Sequence, residues 1–407
     1  MDNHSNSTTN AISFCLLPSD LIHNILLYLA LPEIMGMKLV NKSISYLISD
    51  QNFVREINSR SKSASWLFVY KKRWCRNAVL EGFSDQSTRW FKIAIADLLK
   101  PVISPFEDLY FMTASANIFL FVSNSKRQVF AVNLVSKTVK EIPASPLGPR
   151  GTSSWRRSGM KLVAERDRFR FLFAELVDDR PVLFEYSSET DTWRSMETKE
   201  NTGNLPRGDE REGDCIFLNV TNRPNGSVVV AVGSQSNNAP PVIIRPRIDV
   251  GGNNNNNNDR QQVAVGFSNW GNATDRLHVY GDGHMVIIRS SGVDESSSSE
   301  ARSVRKLRSI EVWGLSRNGE NWEYISRVPS DLMKKISKDY GVMIGCLEKA
   351  DWVIKIVLMS NHECLWQIFW LSYDMETNSW TWIPLPDCNM KGLNMAGIAF
   401  SRGLTLS

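Results

Sequence analysis

The chain has 407 residues, of which 42% are hydrophobic and 22% are charged, and its formal net charge is +4. This is an ordinary soluble composition with enough length for two or three domains, and so small a charge gives no bulk basic field for nucleic acid. Residues 1–13 are polar, without the basic flank and apolar run of a signal peptide or membrane anchor, so we expect a disordered tail there. The cysteines are scattered without a CxxC pair, which indicates free thiols in a reducing compartment, the cytoplasm, the nucleus or both.

Residues 14–58 have the apolar spacing of short α-helices. Ser19 is placed as the N-cap of the first helix, and Pro32 is placed at the start of a second. The apolar stripe of the first helix consists of Leu21, Ile22, Ile25, Leu26 and Leu29. In the second helix the apolar residues recur at spacings of three and four: Ile34, Met37, Val40, Ile44, Leu47 and Ile48. Helices this short cannot form a self-sufficient core, so we expect them to pack on the rest of the chain or on a partner.

This stretch resembles an F-box. The resemblance starts at Leu17-Pro18, continues through the first helix and Leu39-Val40 with Lys42, and ends in Leu47-Ile48-Ser49-Asp50 and Phe53. Asn41 and Ile44 depart from it, since a cysteine and a tryptophan are usual there. The alternative is an ordinary helical hairpin. The resemblance implies docking on a Skp-type adaptor, and through it a cullin, by Leu17, Pro18, Leu21, Ile22, Ile25, Leu26, Leu29, Leu39 and Val40.

After residue 58 the apolar period changes to that of β-strands, and one short phrase recurs. Each copy has an aromatic at the end of an apolar strand, a polar turn, and a tryptophan seven residues later, or nine in one copy. The aromatic copies are Phe83 with Trp90, Tyr186 with Trp193, Trp313 with Trp322, and Tyr373 with Trp380. Val132 to Val139 fits without aromatics, and the runs SVVVAVG and PVIIRPRI supply a pair in the long gap.

Four strands in roughly 50 residues match a propeller blade. The sequence therefore predicts a mainly β chain, in which a small helical module is followed at 59–407 by a β-propeller of six blades, with 397–407 as the closing strand. The repeats resemble kelch repeats, although the paired glycines of that family are missing. A generic β-sandwich is the alternative. Polar insertions are expected near 251–262 and 290–308, the second ending in a basic cluster that favours a solvated loop over a nuclear-import or phosphate site.

The order of the two modules resembles the plant F-box/kelch-repeat proteins. That resemblance implies the substrate receptor of an SCF-type ubiquitin ligase, whose propeller binds a protein substrate while other subunits perform ubiquitination. A scaffold with a degenerate F-box and a propeller enzyme are the alternatives. For an enzyme the best metal suggestion is His278 with His284, and Cys364 beside His362 is a weak nucleophile suggestion. We predict no catalytic residues, metal or cofactor, and no nucleic-acid or membrane partner.

Overall fold

The chain forms two compact units, residues 1–64 with 402–407, here called the helical unit, and residues 65–401, here called the propeller unit. The computed structural model describes residues 17–61, 64–71, 74–85, 87–155, 158–165, 168–201, 215–222, 226–233, 240–248, 278–281, 284–292, 305–316, 318–336, 339–362, 365–386, 390–391 and 396–406.

The described part of the helical unit contains four α-helices, α1 (Ser19–Leu27), α2 (Leu31–Met37), α3 (Lys42–Ser49) and α4 (Gln51–Ser61). Ser19 is the first residue of α1 and not its N-cap; Pro18 occupies the N-cap position and its side chain accepts no hydrogen bond. In α2 the Glu33 carboxylate accepts a hydrogen bond from the backbone N–H of Ala30 at 2.9 Å, which satisfies one of the free donors at a helix start.

The single helix predicted from Pro32 through Ile48 is two helices, α2 and α3. Asn41 is the reason, because its backbone is extended and its Oδ1 accepts a hydrogen bond from the backbone N–H of Ile44 at 2.8 Å. A residue in that conformation ends one helix and caps the next. Asn41 is therefore an N-cap, and Ile44 lies buried on the inner face of α3.

The propeller unit folds into six sheets, numbered here as blades in chain order. Blades 1 to 3 contain β1 (Ser65–Tyr70), β2 (Val79–Ser84), β3 (Phe91–Ala94), β4 (Leu109–Ser115), β5 (Ile118–Ser123), β6 (Gln128–Asn133), β7 (Thr138–Ile142), β8 (Gly159–Glu165), β9 (Arg168–Val177), β10 (Arg180–Ser187) and β11 (Thr192–Glu197). The next strands are β12 (Lys199–Glu200), β13 (Cys215–Asn222), β14 (Gly226–Gly233), β15 (Val242–Ile244), β16 (Arg247–Ile248), β17 (His278–Gly281), β18 (His284–Gly292), β19 (Arg305–Leu315), β20 (Asn321–Arg327), β21 (Asp339–Tyr340), β22 (Val342–Ala350), β23 (Val353–His362), β24 (Leu365–Asp374), β25 (Ser379–Ile383), β26 (Met390–Lys391) and β27 (Gly397–Arg402). Short helices α5 (Ala96–Leu99), α6 (Thr152–Trp155) and α7 (Ser330–Ile336) lie in connections between blades.

Blade 1 has the order β27-β1-β2-β3, blade 2 is β4 to β7, and blade 3 is β8 to β11. Blade 4 is β13-β14-β15 with β12 added in parallel to β15 at its edge, and blade 5 is β17 to β20 with β16 added in parallel to β20. Blade 6 is β22 to β25 with β26 beside β24. The six predicted blades are confirmed, and two of them take an edge strand from the segment that leaves the preceding blade.

The recurring phrase forms a hairpin in which its first and last residues contact each other. The ring centroids lie 5.2 Å apart for Phe83 with Trp90, 5.4 Å for Tyr186 with Trp193 and 4.9 Å for Tyr373 with Trp380. The Tyr186 hydroxyl donates to Asp191 Oδ1 at 2.6 Å, and the Tyr373 hydroxyl to Asn378 Oδ1 at 2.9 Å. Asp191 and Asn378 have positive φ, which short polar residues tolerate best. In these two copies the tyrosine of the phrase thus stabilises its own polar turn.

The fourth aromatic copy differs in register. Trp313 lies opposite Tyr324, with ring centroids 5.6 Å apart, and Trp322 lies opposite Leu315. The turn keeps the seven-residue spacing of the other copies, measured from Leu315 to Trp322, so Trp313 lies two residues before the first residue of the phrase. Trp322 lies opposite the residue seven positions before it, as Trp193 and Trp380 do, and it is buried in the apolar cluster formed by residues of blades 4 and 5. Its predicted equivalence to those tryptophans is confirmed, whereas the predicted partner Trp313 is wrong, because Leu315 occupies that position.

Trp90, Trp193 and Trp380 join neighbouring blades. Each packs in an apolar cluster shared with the preceding blade, and each indole N–H donates a hydrogen bond across that boundary. These bonds run from Trp90 to the carbonyl of Pro386 (2.7 Å), from Trp193 to the carbonyl of Pro143 (2.8 Å) and from Trp380 to the hydroxyl of Ser326 (2.9 Å). In these three copies the phrase supplies a contact between its own blade and the preceding one.

The ring closes where β27 becomes the inner strand of blade 1, as predicted. Gly397 has φ +149°, and a Cβ added there would lie 2.2 Å from the carbonyl oxygen of Phe111 on β4, so only glycine fits at this approach. Lys355 of blade 6 completes the junction with blade 1. Its Nζ donates to Ser65 Oγ at 2.8 Å and lies 2.5 Å from Asp85 Oδ2.

Residues 253–258, part of the first predicted insertion, lie outside the described residues. The second predicted insertion overlaps two paired strands, since β18 extends to Gly292 and β19 begins at Arg305. Arg305, Lys306 and Arg308 of the basic cluster are thus strand residues and not part of a loop.

Candidate functional site

Helix α1 carries two apolar stripes. Ile22 and Leu26 are buried, with Ile34, Ile44 and Ile48 of the following helices also buried in the described residues. Leu21 and Ile25 lie on a second stripe, about 100° away around the helix, which continues to Tyr28 just after the helix end. Leu21 is exposed to 46% and Tyr28 to 89%. One stripe forms the core, and the other faces outward.

Polar side chains of helix α4 contact α1 at His23 and at the carbonyl of Leu27. The Glu56 carboxylate lies 3.3 Å from His23 Nε2 and 3.0 Å from an Arg60 nitrogen. Arg60 also donates to the carbonyl of Leu27 at 3.4 Å, which places a cation at the negative end of the α1 dipole. These contacts fix the orientation of the outward stripe relative to the rest of the helical unit.

The residues predicted to bind an adaptor differ in how far their side chains are exposed to solvent. Leu39 and Val40, in the turn after α2, are exposed to 80% and 58%. Pro18 and Leu21 are also exposed. The half-buried members are Leu17, Ile25 and Leu29, and the buried members are Ile22 and Leu26. The buried pair belongs to the core of the unit, and the other residues are at least partly exposed to solvent.

The sequence interpretation did not include two exposed aromatics, Tyr28 and Tyr46, which are exposed to 89% and 82%. Tyr28 lies seven residues after Leu21, the spacing at which two turns of a helix bring side chains to the same face. That spacing was the available signal. Tyr46 on α3 has no comparable periodic partner among the residues that the sequence singled out.

The propeller unit contains a cavity of about 160 Å³ between blades 2 and 3. Ile142, Pro149, Trp155 and Trp193 provide apolar walls, and Lys126 and Arg127 are also among the lining residues. The connection from Pro143 to Arg150 that borders it is held by backbone hydrogen bonds, including Arg150 N–H to the carbonyl of Arg127 at 3.2 Å.

Arg150, which also borders the cavity, is occupied by structural contacts. It pairs with Glu175, donates to Ser158 Oγ at 2.9 Å and lies over the ring of Trp155 at 4.7 Å. A buried guanidinium with a carboxylate and an aromatic face beside it stabilises packing and offers little charge to a ligand.

A group of buried titratable residues lies where blade 1 continues into blade 2. Burial raises the pKa of Glu107, but hydrogen bonds from the Ser123 and Ser125 hydroxyls and from backbone N–H groups outweigh this and hold its pKa below the usual value. Burial and the nearby Glu107 raise the pKa of the Cys75 thiol. A thiol that stays protonated is a poor nucleophile, so this group is better explained as structural.

The metal and thiol suggestions find no geometric support in the described chain. The strand register pairs His278 with Ile287 and His284 with Gly281, so the two histidines are not opposite each other as proposed. Cys364 lies outside the described residues. Within the described part of the chain, no group of three or more His, Cys, Asp or Glu side chains is arranged to hold a metal ion. None of the described helices combines the length and apolar character needed to cross a membrane.

Residues 14–56 match the F-box domain family. No curated protein matches the chain. Among solved structures, TolB from Acinetobacter baumannii is 8% identical, with a TM-score of 0.41 over 86% of this chain and 70% of its own. A nidogen/laminin complex is 8% identical, with a TM-score of 0.38 over 84% of this chain and 99% of its own. Likenesses this weak carry no argument about function. The protein consists of an N-terminal F-box domain followed by a six-bladed β-propeller.

Proposed function

We propose that the protein is the substrate-receptor subunit of an SCF-type ubiquitin ligase. The F-box domain docks on a Skp-type adaptor and through it on a cullin, and the propeller, a divergent ring of kelch type, binds the protein to be ubiquitinated. Transfer of ubiquitin takes place on other subunits, so this chain supplies binding surfaces and no catalytic residues. Cys75 and Cys346 have free thiols, which supports a reducing compartment, the cytoplasm or the nucleus.

The observation that carries this proposal is the outward apolar surface of the F-box domain. Leu39, Val40, Leu21 and Tyr28 are exposed on a unit that already has a buried core. Several exposed large apolar side chains on one small folded unit are typical of a protein-binding surface. The adaptor is the partner that an F-box implies, and the propeller then adds a second, independent binding surface.

The test is co-purification of the full chain with a Skp-type adaptor and a cullin. Leu39→Asp combined with Val40→Asp places two charges on the exposed turn and should abolish co-purification, because unpaired charges in an interface cost several kcal/mol. Trp352→Ser is the matched control, since Trp352 is an exposed apolar residue of the propeller. The control should bind as the parent does.

Alanine substitution at Leu17 and Pro18 together should weaken adaptor binding by about 2 to 4 kcal/mol, the range of interface anchors. Circular dichroism of each variant checks that the helices and the propeller remain folded. If the parent protein never binds the adaptor, the receptor proposal fails and the protein is an interaction scaffold. If the double aspartate variant binds normally, the docking surface lies elsewhere.

A further inference from the structure

The cavity between blades 2 and 3 has the size of one apolar side chain. Its volume is about 160 Å³, and Ile142, Pro149, Trp155 and Trp193 provide apolar surface around it. A cavity of about 150 Å³ accommodates a benzene-sized group. The site is therefore large enough for an apolar side chain from another molecule, and too small for a folded element.

Two cations border this cavity without a carboxylate partner in the described part of the chain. Lys126 and Arg127 are exposed on the turn between β5 and β6 and line the cavity. The Lys126 ammonium donates to a neutral acceptor, the carbonyl of Val102, at 3.2 Å. Nearby cations differ, because Lys140 pairs with Asp191 at 3.0 Å and Arg150 pairs with Glu175. None of the described residues that line the cavity is acidic.

The surface beside Lys126 also carries cationic and apolar side chains. The contact of Lys126 with Val102 places the turn against the connection that contains Phe106. Phe106 is exposed, and the guanidinium of Arg76 lies 5.5 Å from the centroid of its ring. Trp74 is exposed two residues before Arg76. Exposed aromatic and arginine side chains are the types enriched in protein interfaces.

We propose that this cavity and its cationic border form the recognition site of the propeller for an acidic protein segment that inserts one apolar side chain. The apolar walls take the inserted side chain, and Lys126 and Arg127 pair with carboxylates that flank it. The unpaired positive charge is what selects an acidic partner. The inference names the substrate class of the receptor proposed above and rests on that function.

Arg127 allows a test that separates binding from folding. Its φ is +55°, a conformation in which glycine is more stable than arginine. Arg127→Gly therefore removes the charge without straining the backbone, and the melting temperature should be equal to or higher than that of the parent. Lys137→Gly is the matched control, because Lys137 is exposed in the next turn of the same blade with φ +56° and does not line the cavity.

The full chain is applied to an array of synthetic decapeptides with a central Leu, Ile, Phe, Trp or Ala. The flanking positions hold only Asp and Glu in one half of the array and only Lys in the other. The parent should bind acidic peptides with a large apolar centre. Affinities of the best peptides, measured by fluorescence polarisation, should fall roughly tenfold or more for Arg127→Gly and should be unchanged for Lys137→Gly.

Ala144→Trp tests the cavity itself. Ala144 is an exposed residue of the cavity lining, so a large side chain there obstructs the cavity and leaves both cations in place. It should abolish the preference for a large central side chain. The proposal is overturned if acidic and lysine-flanked peptides bind equally well, or if Lys137→Gly loses as much peptide affinity as Arg127→Gly. It is also overturned if a single-stranded oligonucleotide binds as tightly as the acidic peptides. Peptide binding needs no adaptor, so its failure is distinguishable from loss of ligase assembly.

Discussion

The junction between the last and first blades gives the sharpest stability prediction. Lys355 lies in β23, with its side chain exposed to only 9%, and its ammonium contacts Asp85 Oδ2 at 2.5 Å and Ser65 Oγ at 2.8 Å. We consider Lys355→Met, which keeps much of the volume of the side chain and removes its charge. The change leaves the carboxylate of Asp85 without its cation at the point where the ring closes.

The size of the effect follows from how far Asp85 is shielded from water. Removing one partner of a buried ion pair costs about 3 to 5 kcal/mol. The Asp85 side chain is exposed to 20%, so water offsets part of this, and we expect a loss of about 2 to 3 kcal/mol. Adding Asp85→Asn removes the stranded charge, and the double variant should return to within about 1 kcal/mol of the parent.

Urea unfolding followed by tryptophan fluorescence measures these free energies. Arg168→Met is the control, because the pair of Arg168 with Glu189 is largely exposed and such pairs contribute about 0 to 1 kcal/mol. The reasoning is refuted if Lys355→Met costs no more than the control. It is equally refuted if the double variant is as unstable as the single one, because the loss then comes from packing and not from the stranded carboxylate.

Three further outcomes are expected. Ile22→Ala, in the core of the F-box domain, should lower thermal stability by about 2 to 4 kcal/mol, whereas Leu21→Ala on the exposed stripe should cost less than about 0.5 kcal/mol and weaken adaptor binding. Trp193→Phe removes the hydrogen bond to the carbonyl of Pro143 and should cost about 1 to 2 kcal/mol in urea unfolding. The pKa of Glu107 is held below its usual value, so its contribution is complete above the ordinary glutamate pKa of about 4.3 and is lost as the pH falls through the lower folded pKa. Glu107→Gln should therefore destabilise the protein at pH 7 and lose less stability on acidification, whereas parallel acid limbs of the two proteins contradict this sign.

The sequence predicted the blades because alternation of apolar and polar residues records which strand face is buried. The regular spacing of Tyr186 with Trp193 and of Tyr373 with Trp380 fixed the hairpins correctly. It did not predict β12 or β16, because each contains only two residues and no periodicity exists at that length. The partner of Trp322 was missed for a different reason: Leu315, at the usual spacing, is not aromatic, and Trp313 two residues earlier matched the pattern instead.

The candidate site was predicted only in part. Both stripes of α1 are apolar, so spacing alone cannot decide that Ile22 is buried and Leu21 exposed. That distinction depends on where α4 packs. The cavity of the propeller could not be predicted from the sequence at all. Its lining residues Arg127, Trp155 and Trp193 are far apart in the chain, and only the neighbouring positions of blades 2 and 3 bring them together.

The inner strand of the first blade, β27, comes last in sequence among the described strands. During translation the ribosome releases the F-box helices and all the other strands before residues 397–402 emerge. Residues 403–406 follow and belong to the helical unit, where the backbone N–H of Leu406 donates to Asn58 Oδ1 at 2.9 Å. Both units are therefore incomplete until residues 397–406 have been synthesised. A chain that stops before residue 397 leaves the edge of β1 open to pairing with other chains. Such a product is a target for chaperones and proteases, so a chain that lacks β27 should not accumulate.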